Sequence, residues 1–145
     1  MNTTKERYIS MKHVSDSFQN NGLFITFEGI DGAGKSTLIS SLAATLKDLD
    51  HHVVVTKEPG GTPIGSMLKK VLLEEEKNFE PRVEYLLFAA DRAEHFATVI
   101  IPELAAGSVI LCDRSADSAI AYQGYGRGEP IEILETVNIL QHAAQ

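Results

Sequence analysis

The sequence predicts an α/β fold in which a parallel sheet is flanked by helices. From residue 22 onward, short and almost continuously apolar segments alternate with longer segments of helical periodicity. Continuous apolar runs are typical of parallel strands that are covered on both faces. A glycine-rich loop joins the first strand to the first helix. Sheets of this kind bind ligands beyond the carboxyl ends of their strands, so we expect the functional residues there.

The predicted strands and helices follow one another in a regular order. The strands are expected at residues 23–27, 53–56 and 109–112. The helices are expected at residues 35–49, 64–76, 82–106, 117–122 and 131–142. Pro102 should interrupt the third of these helices, because proline has no N–H group for the helical hydrogen bond.

Composition and charge set the broad class of the protein. The 145 residues are 43% hydrophobic and 23% charged, as is ordinary for a globular domain, and a net charge of −7 argues against a broad nucleic-acid surface. No apolar run approaches the length of a membrane span, and residues 1–21 have no apolar signal core. We interpret residues 1–21 as a mobile extension, Cys112 as a buried thiol and the protein as cytoplasmic.

The loop after the first strand carries the strongest chemical signal. It reads G-I-D-G-A-G-K-S-T and fits the phosphate-binding pattern G-x-x-x-x-G-K-[ST]. Backbone N–H groups and the helix N-terminus can cradle the phosphates of a nucleoside triphosphate, Lys35 supplies a cation and the Ser36 hydroxyl suits Mg²⁺. The predicted triphosphate-binding residues are Gly29, Ile30, Asp31, Gly32, Ala33, Gly34, Lys35, Ser36 and Thr37.

Charged residues follow the other two strands. Asp113 closes the third strand, as in the Walker B arrangement in which a carboxylate holds Mg²⁺; a helix cap or an ion pair is the alternative. Phosphoryl transfer needs cations around the transferred group. Five cations can converge at this edge of the sheet, namely Lys35, Lys57, Arg92, Arg114 and Arg127.

Phe88 and Arg92 are four residues apart and share a helix face. An aromatic ring beside a guanidinium can stack on a nucleobase and hydrogen-bond its edge. Spacing alone favours a different interpretation, in which Phe88 is a core residue and Arg92 is paired with an acid.

Four ordered motifs together resemble the thymidylate (dTMP) kinase family. Residues 27–37 resemble the opening of that family, and residues 57–62 resemble its second-strand turn, where Arg usually occupies the position of Lys57. Residues 87–95 are similar to its base-binding helix, and residues 113–124 with 126–128 look like its D-R-[YFH]…S-x-x-A-Y-Q-G signature. The resemblance implies a P-loop nucleoside monophosphate kinase fold.

The resemblance also implies an activity, a transfer of the γ-phosphoryl group of ATP to dTMP that depends on Mg²⁺ and gives dTDP. Asp31, Lys35 and Arg114 would be catalytic, Phe88 would stack on thymine, and Tyr122 would disfavour a 2′-hydroxyl. The implied dTMP-binding residues are Glu58, Pro59, Phe88, Arg92, Arg114, Ser118, Tyr122 and Gln123. The implied Mg²⁺ ligands are Ser36 and Asp113. Members of the family are homodimers.

The sequence departs from the family pattern in two places. Ser115 replaces the aromatic residue or histidine that usually follows Asp-Arg. The family continues past the position of Gln145 with a strand, an arginine-bearing LID, a final strand and a helix. We therefore interpret residues 22–145 as a partial kinase domain with strand order 2-3-1 and strand 1 at an open edge, and expect poor solubility and little activity.

Three alternatives to a dTMP kinase follow from the residues. A P-loop GTPase would carry N-K-x-D for guanine, and the sequence has no such motif. Another nucleoside monophosphate kinase would differ in its acceptor. A truncated, catalytically silent nucleotide-binding fragment is the third alternative.

Overall fold

The protein is described by a computed structural model that covers residues 22–73 and 79–142. The sheet contains β1 (Leu23–Phe27), β2 (Val53–Lys57) and β3 (Val109–Asp113), all parallel, in the order β1-β3-β2. The predicted order is thus confirmed, and β1 is an edge strand of the sheet in the described part of the chain. β2 and β3 each extend one residue further than predicted, because Lys57 and Asp113 still pair in register.

The helices alternate with the strands as predicted. They are α1 (Lys35–Asp48), α2 (Pro63–Leu73), α3 (Pro81–His95), α4 (Ile101–Ala105), α5 (Ala116–Ala119) and α6 (Ile131–His142). Two π-helical segments, Phe96–Ile100 and Ile120–Gly126, continue α3 and α5. No helix within these described residues is long and apolar enough to cross a membrane. The proposed extension, residues 1–21, and the acidic end of the helix predicted at 64–76 lie outside the described residues.

The interruption expected at Pro102 is present as a change of helix type. Residues 96–100 are π-helical, and the Ile101 N–H donates to the Phe96 carbonyl oxygen, five residues back. The ordinary α-helical ladder resumes in α4, with Pro102 in its first turn, the part of a helix that tolerates proline best.

Both faces of the sheet are covered, which holds β3 at the centre of the domain. Side chains alternate along a strand, so Val109 and Leu111 pack against Ile39 and Ala43 of α1 on one face. On the other face Ile110 packs against Phe96 and Ile100, and Phe96 meets Phe24 edge-to-face at 5.5 Å. Cys112 is buried in this core, as predicted.

A separate apolar cluster joins the helices that carry the base-site candidates. Tyr85 and Ala89 of α3 pack against Ala119 of α5 and Leu134 of α6. The Tyr85 hydroxyl donates to the Leu134 carbonyl oxygen at 2.7 Å. This cluster fixes α3, α5 and α6 relative to one another beside the carboxyl edge of the sheet.

Candidate active site

A cavity of about 680 Å³ opens at the carboxyl edge of the sheet, at the ends of all three strands. This volume lies in the range typical of small-molecule sites. All the residues predicted to bind the triphosphate, dTMP or Mg²⁺ line the cavity, except Gly29 and Ile30. Of the two other cations expected there, Lys57 lines the cavity and Arg127 does not. Five further residues line it, namely Lys69, Leu73, Asp91, Ser115 and Ala119.

The P-loop has an open anion-binding geometry. Gly32 and Gly34 have φ angles of 78° and 86°, a conformation that glycine adopts without the steric cost of a Cβ. Gly34 precedes α1 and offers no side-chain cap, so the first turn of the helix presents its N–H groups to the cavity edge. Lys35 Nζ donates to the carbonyl oxygens of Gly29 and Ile30, both at 3.0 Å. The Lys35 side chain is thus folded back against the same loop that would bind the phosphates.

Ser36 and Asp113 bring two hard oxygen ligands together. Ser36 Oγ donates to Asp113 Oδ2 at 3.4 Å, across 77 positions of sequence. The other carboxylate oxygen, Asp113 Oδ1, is buried and has no hydrogen-bond partner among the residues that the structure describes. A buried oxygen without a partner is costly, and Mg²⁺ prefers carboxylate and hydroxyl ligands. The donor set therefore fits the predicted Mg²⁺ site.

Arg114 has an unusual backbone conformation that directs its side chain over the P-loop. Its φ of 72° lies in the left-handed region, which costs a non-glycine residue about 1–2 kcal/mol. The backbone is held there because Arg114 N donates to the Phe27 carbonyl at 3.0 Å and Arg114 O accepts from Cys112 Sγ at 3.1 Å. Arg114 Nη2 then lies 2.7 Å from Asp31 Oδ1.

The second terminal nitrogen of Arg114 faces the helix that follows. Nη1 donates to Ser118 Oγ at 3.3 Å and to the Tyr122 hydroxyl at 3.4 Å, and the guanidinium carbon is 5.4 Å from the Tyr122 ring centre. Glu28, which sequence reasoning missed, accepts from Ser115 N at 2.8 Å and from Ser118 Oγ. Its position directly before the P-loop is the feature of the sequence from which a site role for Glu28 could have been predicted.

Arg92 is a buried, paired cation. Its side chain is 3% exposed, and Nε donates to Glu58 Oε2 at 2.9 Å. Nη1 donates to Asn138 Oδ1 at 2.8 Å. The ion pair favoured by spacing alone is thus present, but Arg92 also lines the cavity beside Phe88. Its base-binding role therefore stays a prediction, and Asn138 is a partner that the sequence did not indicate.

Two more residues of α3 contact the turn after β2. Asp91 Oδ1 accepts from Gly60 N at 3.1 Å, while Asp91 Oδ2 has no partner in the described part of the chain. Burial raises the pKa of the Asp91 carboxyl. His95 contacts Glu58 Oε1 at 3.0 Å and Thr56 Oγ1 at 2.7 Å. The four-residue spacing of Asp91 and His95 places both on one helix face. From this spacing the sequence could have predicted that both side chains contact the turn after β2.

The ligand atoms of Glu58, His95 and Cys112 lie within 4.8 Å of one another. Each is already engaged, because Glu58 pairs with Arg92 and His95, and the Cys112 thiol donates to the Arg114 carbonyl. Burial also raises the pKa of the Cys112 thiol, which opposes formation of the thiolate that metals bind. These atoms act as a hydrogen-bonded core beneath the cavity.

Gln123 and Arg127 are both tied to Glu84 of α3. Gln123 Nε2 donates to Glu84 Oε1 at 2.8 Å, and Arg127 Nη2 pairs with Glu84 Oε2 at 2.7 Å. Gln123 lines the cavity, as predicted. Arg127 is not among the described residues that line it, so the expected convergence of five cations is reduced to four. Arg127 pairs with Glu84 instead, because the segment Ile120–Gly126 packs beside α3, the helix that carries Glu84.

The parallel sheet, the P-loop and the facing Ser36–Asp113 pair define a P-loop nucleotide-binding protein of the nucleoside monophosphate kinase fold.

Comparisons with known proteins identify the family. A family model described as "Thymidylate kinase" matches residues 27–139. The thymidylate kinase of Halothermothrix orenii is 53% identical over 117 residues, and that of Gloeobacter violaceus is 48% identical over 118; each match covers 81% of this chain and 56% of the relative. A crystal structure of thymidylate kinase from Ehrlichia chaffeensis has a TM-score of 0.77 and 41% identity, covering 82% of this chain and 64% of that one.

This chain therefore belongs to the thymidylate kinase family. It spans a little over half the length of the curated relatives that it matches.

Proposed function

We propose that this protein catalyses the transfer of the γ-phosphoryl group of ATP to dTMP, giving ADP and dTDP. One observation carries the proposal: a single cavity contains a P-loop with its Ser36–Asp113 pair and, beyond Arg114, the Phe88–Arg92 pair. A donor site and an acceptor site that share a cavity are what a direct transfer between two nucleotides requires. The names of the relatives support the choice of dTMP.

The donor side would bind the phosphates of ATP. Lys35 would exchange its bonds to the Gly29 and Ile30 carbonyl oxygens for bonds to the β- and γ-phosphate oxygens. Ser36 and Asp113 would hold Mg²⁺, which when bound neutralises the charge on those oxygens. The N–H groups of the P-loop and of the first turn of α1 would bind the remaining oxygens.

The acceptor side would bind dTMP with its base against α3. Phe88 offers a ring for stacking, and Arg92 offers an N–H donor to the carbonyl edge of thymine. Tyr122 would contact the deoxyribose and disfavour a 2′-hydroxyl. The remaining residues proposed for this side are Glu58, Pro59, Ser118 and Gln123.

The transfer itself needs orientation and charge stabilisation. A phosphate oxygen of dTMP attacks the γ-phosphorus, and the bond from that phosphorus to the β–γ bridging oxygen breaks, leaving ADP. The attacking oxygen is already ionised, so no general base is required. Arg114 lies between the two sides and would bridge both phosphates, while Asp31 holds its guanidinium. Lys35 stabilises the charge that spreads over the transferred group.

An assay of the purified protein tests the proposal. The partial domain predicts little activity from the sequence alone, whereas the names of the relatives favour an active kinase. We therefore expect dTDP from ATP and dTMP when Mg²⁺ is present, with dCMP and UMP as poorer acceptors and GTP as the comparison donor. Absence of dTDP would support the first expectation. Transfer to another monophosphate in preference to dTMP would assign the chain a different acceptor. Hydrolysis of GTP without transfer to any monophosphate would support the alternative of a P-loop GTPase.

The silent nucleotide-binding fragment is not favoured, because the relatives compared above are named thymidylate kinase. We further propose a cytoplasmic location and a homodimer, as the family resemblance implies. Light scattering coupled to size-exclusion chromatography tests the dimer, and a monomer at micromolar concentration would contradict it.

A further inference from the structure

We propose that His95 is a positioning residue for acceptor binding, because it orients the Glu58 carboxylate that in turn holds the Arg92 guanidinium. The inference rests on the proposed function for its nucleotide readout. His95 is fully buried, at 0% exposure, and does not line the cavity described above. It therefore acts through other residues.

The two imidazole nitrogens are both used, and their partners assign the tautomer. The Glu58 carboxylate can only accept, so His95 Nδ1 carries the proton that is donated to Glu58 Oε1 at 3.0 Å. In the neutral ring Nε2 then accepts from the Thr56 hydroxyl at 2.7 Å. The ring is thus held at one end by β2 and presents its donor to Glu58 at the other.

The arrangement continues from Glu58 to the cavity. Glu58 uses its other oxygen, Oε2, to accept from Arg92 Nε at 2.9 Å. Arg92 Nη1 is occupied by Asn138, whereas Nη2 has no partner among the residues that the structure describes. Because Nε and Nη1 are both fixed and the guanidinium is planar, the direction of the Nη2 hydrogens is fixed as well. Those hydrogens are the donors left for the edge of a base.

The backbone beside the imidazole leaves no room for rearrangement. A Cβ at Gly61 would lie 2.7 Å from His95 Nε2 and 2.7 Å from Thr56 Oγ1. The turn after β2 thus passes directly against the His95–Thr56 bond. This close contact restricts the imidazole to the orientation in which Nδ1 faces Glu58 and Nε2 faces Thr56.

Two variants of His95 separate positioning from packing. The side-chain amide of His95→Asn can replace the Nδ1 donor to Glu58, whereas the amide of His95→Gln extends to the Nε2 position and leaves Glu58 without that donor. We expect His95→Gln to weaken dTMP binding, and to raise the KM for dTMP, by about tenfold. His95→Asn should stay within about threefold of the parent, and both variants should keep the kcat and the KM for ATP of the parent.

The midpoint of thermal unfolding, Tm, measures how far each variant is destabilised. If His95 had only a structural role, the loss of dTMP affinity would follow the loss of Tm. Both variants remove one buried hydrogen bond and part of a ring, so we expect similar losses of Tm. Equal dTMP affinity in the two variants, or an affinity that simply follows Tm, would overturn the proposal. His52→Gln is the control for dTMP binding, because the His52 side chain is 72% exposed and does not line the cavity, and it should leave the dTMP affinity and the kinetic constants unchanged. Its contact with the Ser108 hydroxyl concerns stability alone.

A second readout does not depend on nucleotide. The Arg92 Nε–H proton, observed by NMR, should be protected from exchange in the parent and in His95→Asn, and should exchange at least about tenfold faster in His95→Gln. Failure of the parent to bind dTMP would refute the proposed function alone, and the exchange rates would still decide the role of His95. Unchanged protection in His95→Gln would refute that role.

Discussion

Arg114 and Asp31 form an ion pair across the mouth of the cavity although 83 positions separate them, with Nη2 of the arginine 2.7 Å from Oδ1 of the aspartate. The left-handed φ of Arg114 directs the side chain there. The Asp31 side chain is fully exposed, so water screens the pair and its effect on stability is small. The pair is thus placed to hold a guanidinium beside the P-loop.

The first prediction concerns this pair. Arg114→Ala should lower kcat by about 10²–10³, as loss of a positioned charge does elsewhere, and Asp31→Asn by about tenfold. The double variant should be no slower than Arg114→Ala, because Asp31 acts through the arginine. Steady-state kinetics with a double-mutant cycle measure this coupling. Additive losses would contradict it, as would a large fall in Tm for Asp31→Asn.

The second prediction concerns Lys35. Lys35→Ala removes the cation that would leave the Gly29 and Ile30 carbonyls for the triphosphate, so we expect turnover to fall by about 10²–10³. Lys47→Ala, which changes an exposed lysine in the last turn of the same helix, is the matched control. Comparable rates for the two variants would show that Lys35 has no role in transfer.

The third prediction concerns Mg²⁺ and Asp113. Chelation of Mg²⁺ should abolish dTDP formation, and Asp113→Ala should do so at any Mg²⁺ concentration. Because Asp113 Oδ1 is a buried oxygen without a described partner, its removal should cost the nucleotide-free protein little stability. Activity assays beside thermal unfolding check this combination. A large loss of Tm with activity retained would instead assign Asp113 a structural role.

The fourth prediction concerns the base. Arg92→Ala should reduce the ratio of kcat/KM for dTMP over dCMP by about tenfold or more, since cytosine presents an amino group where thymine has a carbonyl oxygen. The variant should also lose about 3–5 kcal/mol of stability, because the buried Glu58 carboxylate loses its cation and keeps only the hydrogen bond from His95. The ratio compares two substrates in the same protein sample, so it does not depend on the fraction of the variant that is folded. Equal affinity of the parent for both nucleotides in calorimetric titration would refute the assignment.

The fifth prediction concerns the pH dependence of stability. Burial raises the pKa of Asp91 above its ordinary value of 3.8. A group with a raised folded pKa stabilises the protein most below its ordinary pKa, and that contribution is lost as the pH rises through the folded pKa. Asp91→Asn keeps an acceptor for Gly60 N but cannot ionise, so its Tm advantage over the parent should grow from pH 4 to pH 7.

The matched control for Asp91 is Asp117→Asn, an exposed carboxylate in the first turn of α5. Ionised Asp117 favours the N-terminus of that helix, so its variant should show no such gain. A constant difference between Asp91→Asn and the parent across this range would contradict the raised pKa.

Much of the architecture follows from contiguous residues. The apolar runs of β1 and β3 and the helical period of α1 predict a parallel sheet with helices on both faces, and the structure has that sheet. The P-loop could be predicted because its geometry depends on neighbouring residues, with glycines at the positions of positive φ. The predicted β2 and β3 end one residue early, because the prediction ended each strand at its last uncharged residue. Lys57 and Asp113 are charged, but their backbones still pair within the sheet.

Adjacent residues suffice to predict the sheet, the phosphate loop and most of the side chains at the cavity, because they encode periodicity and local backbone geometry. The pairing of charges follows instead from packing, which brings Arg114 to Asp31, Arg92 to Glu58 and Arg127 to Glu84. The sequence offers each cation several carboxylates, and the choice depends on distances and burial that exist only after the helices pack against the sheet. Ion pairing is therefore a property of the packed domain, whereas phosphate binding by the loop is a property of a short segment.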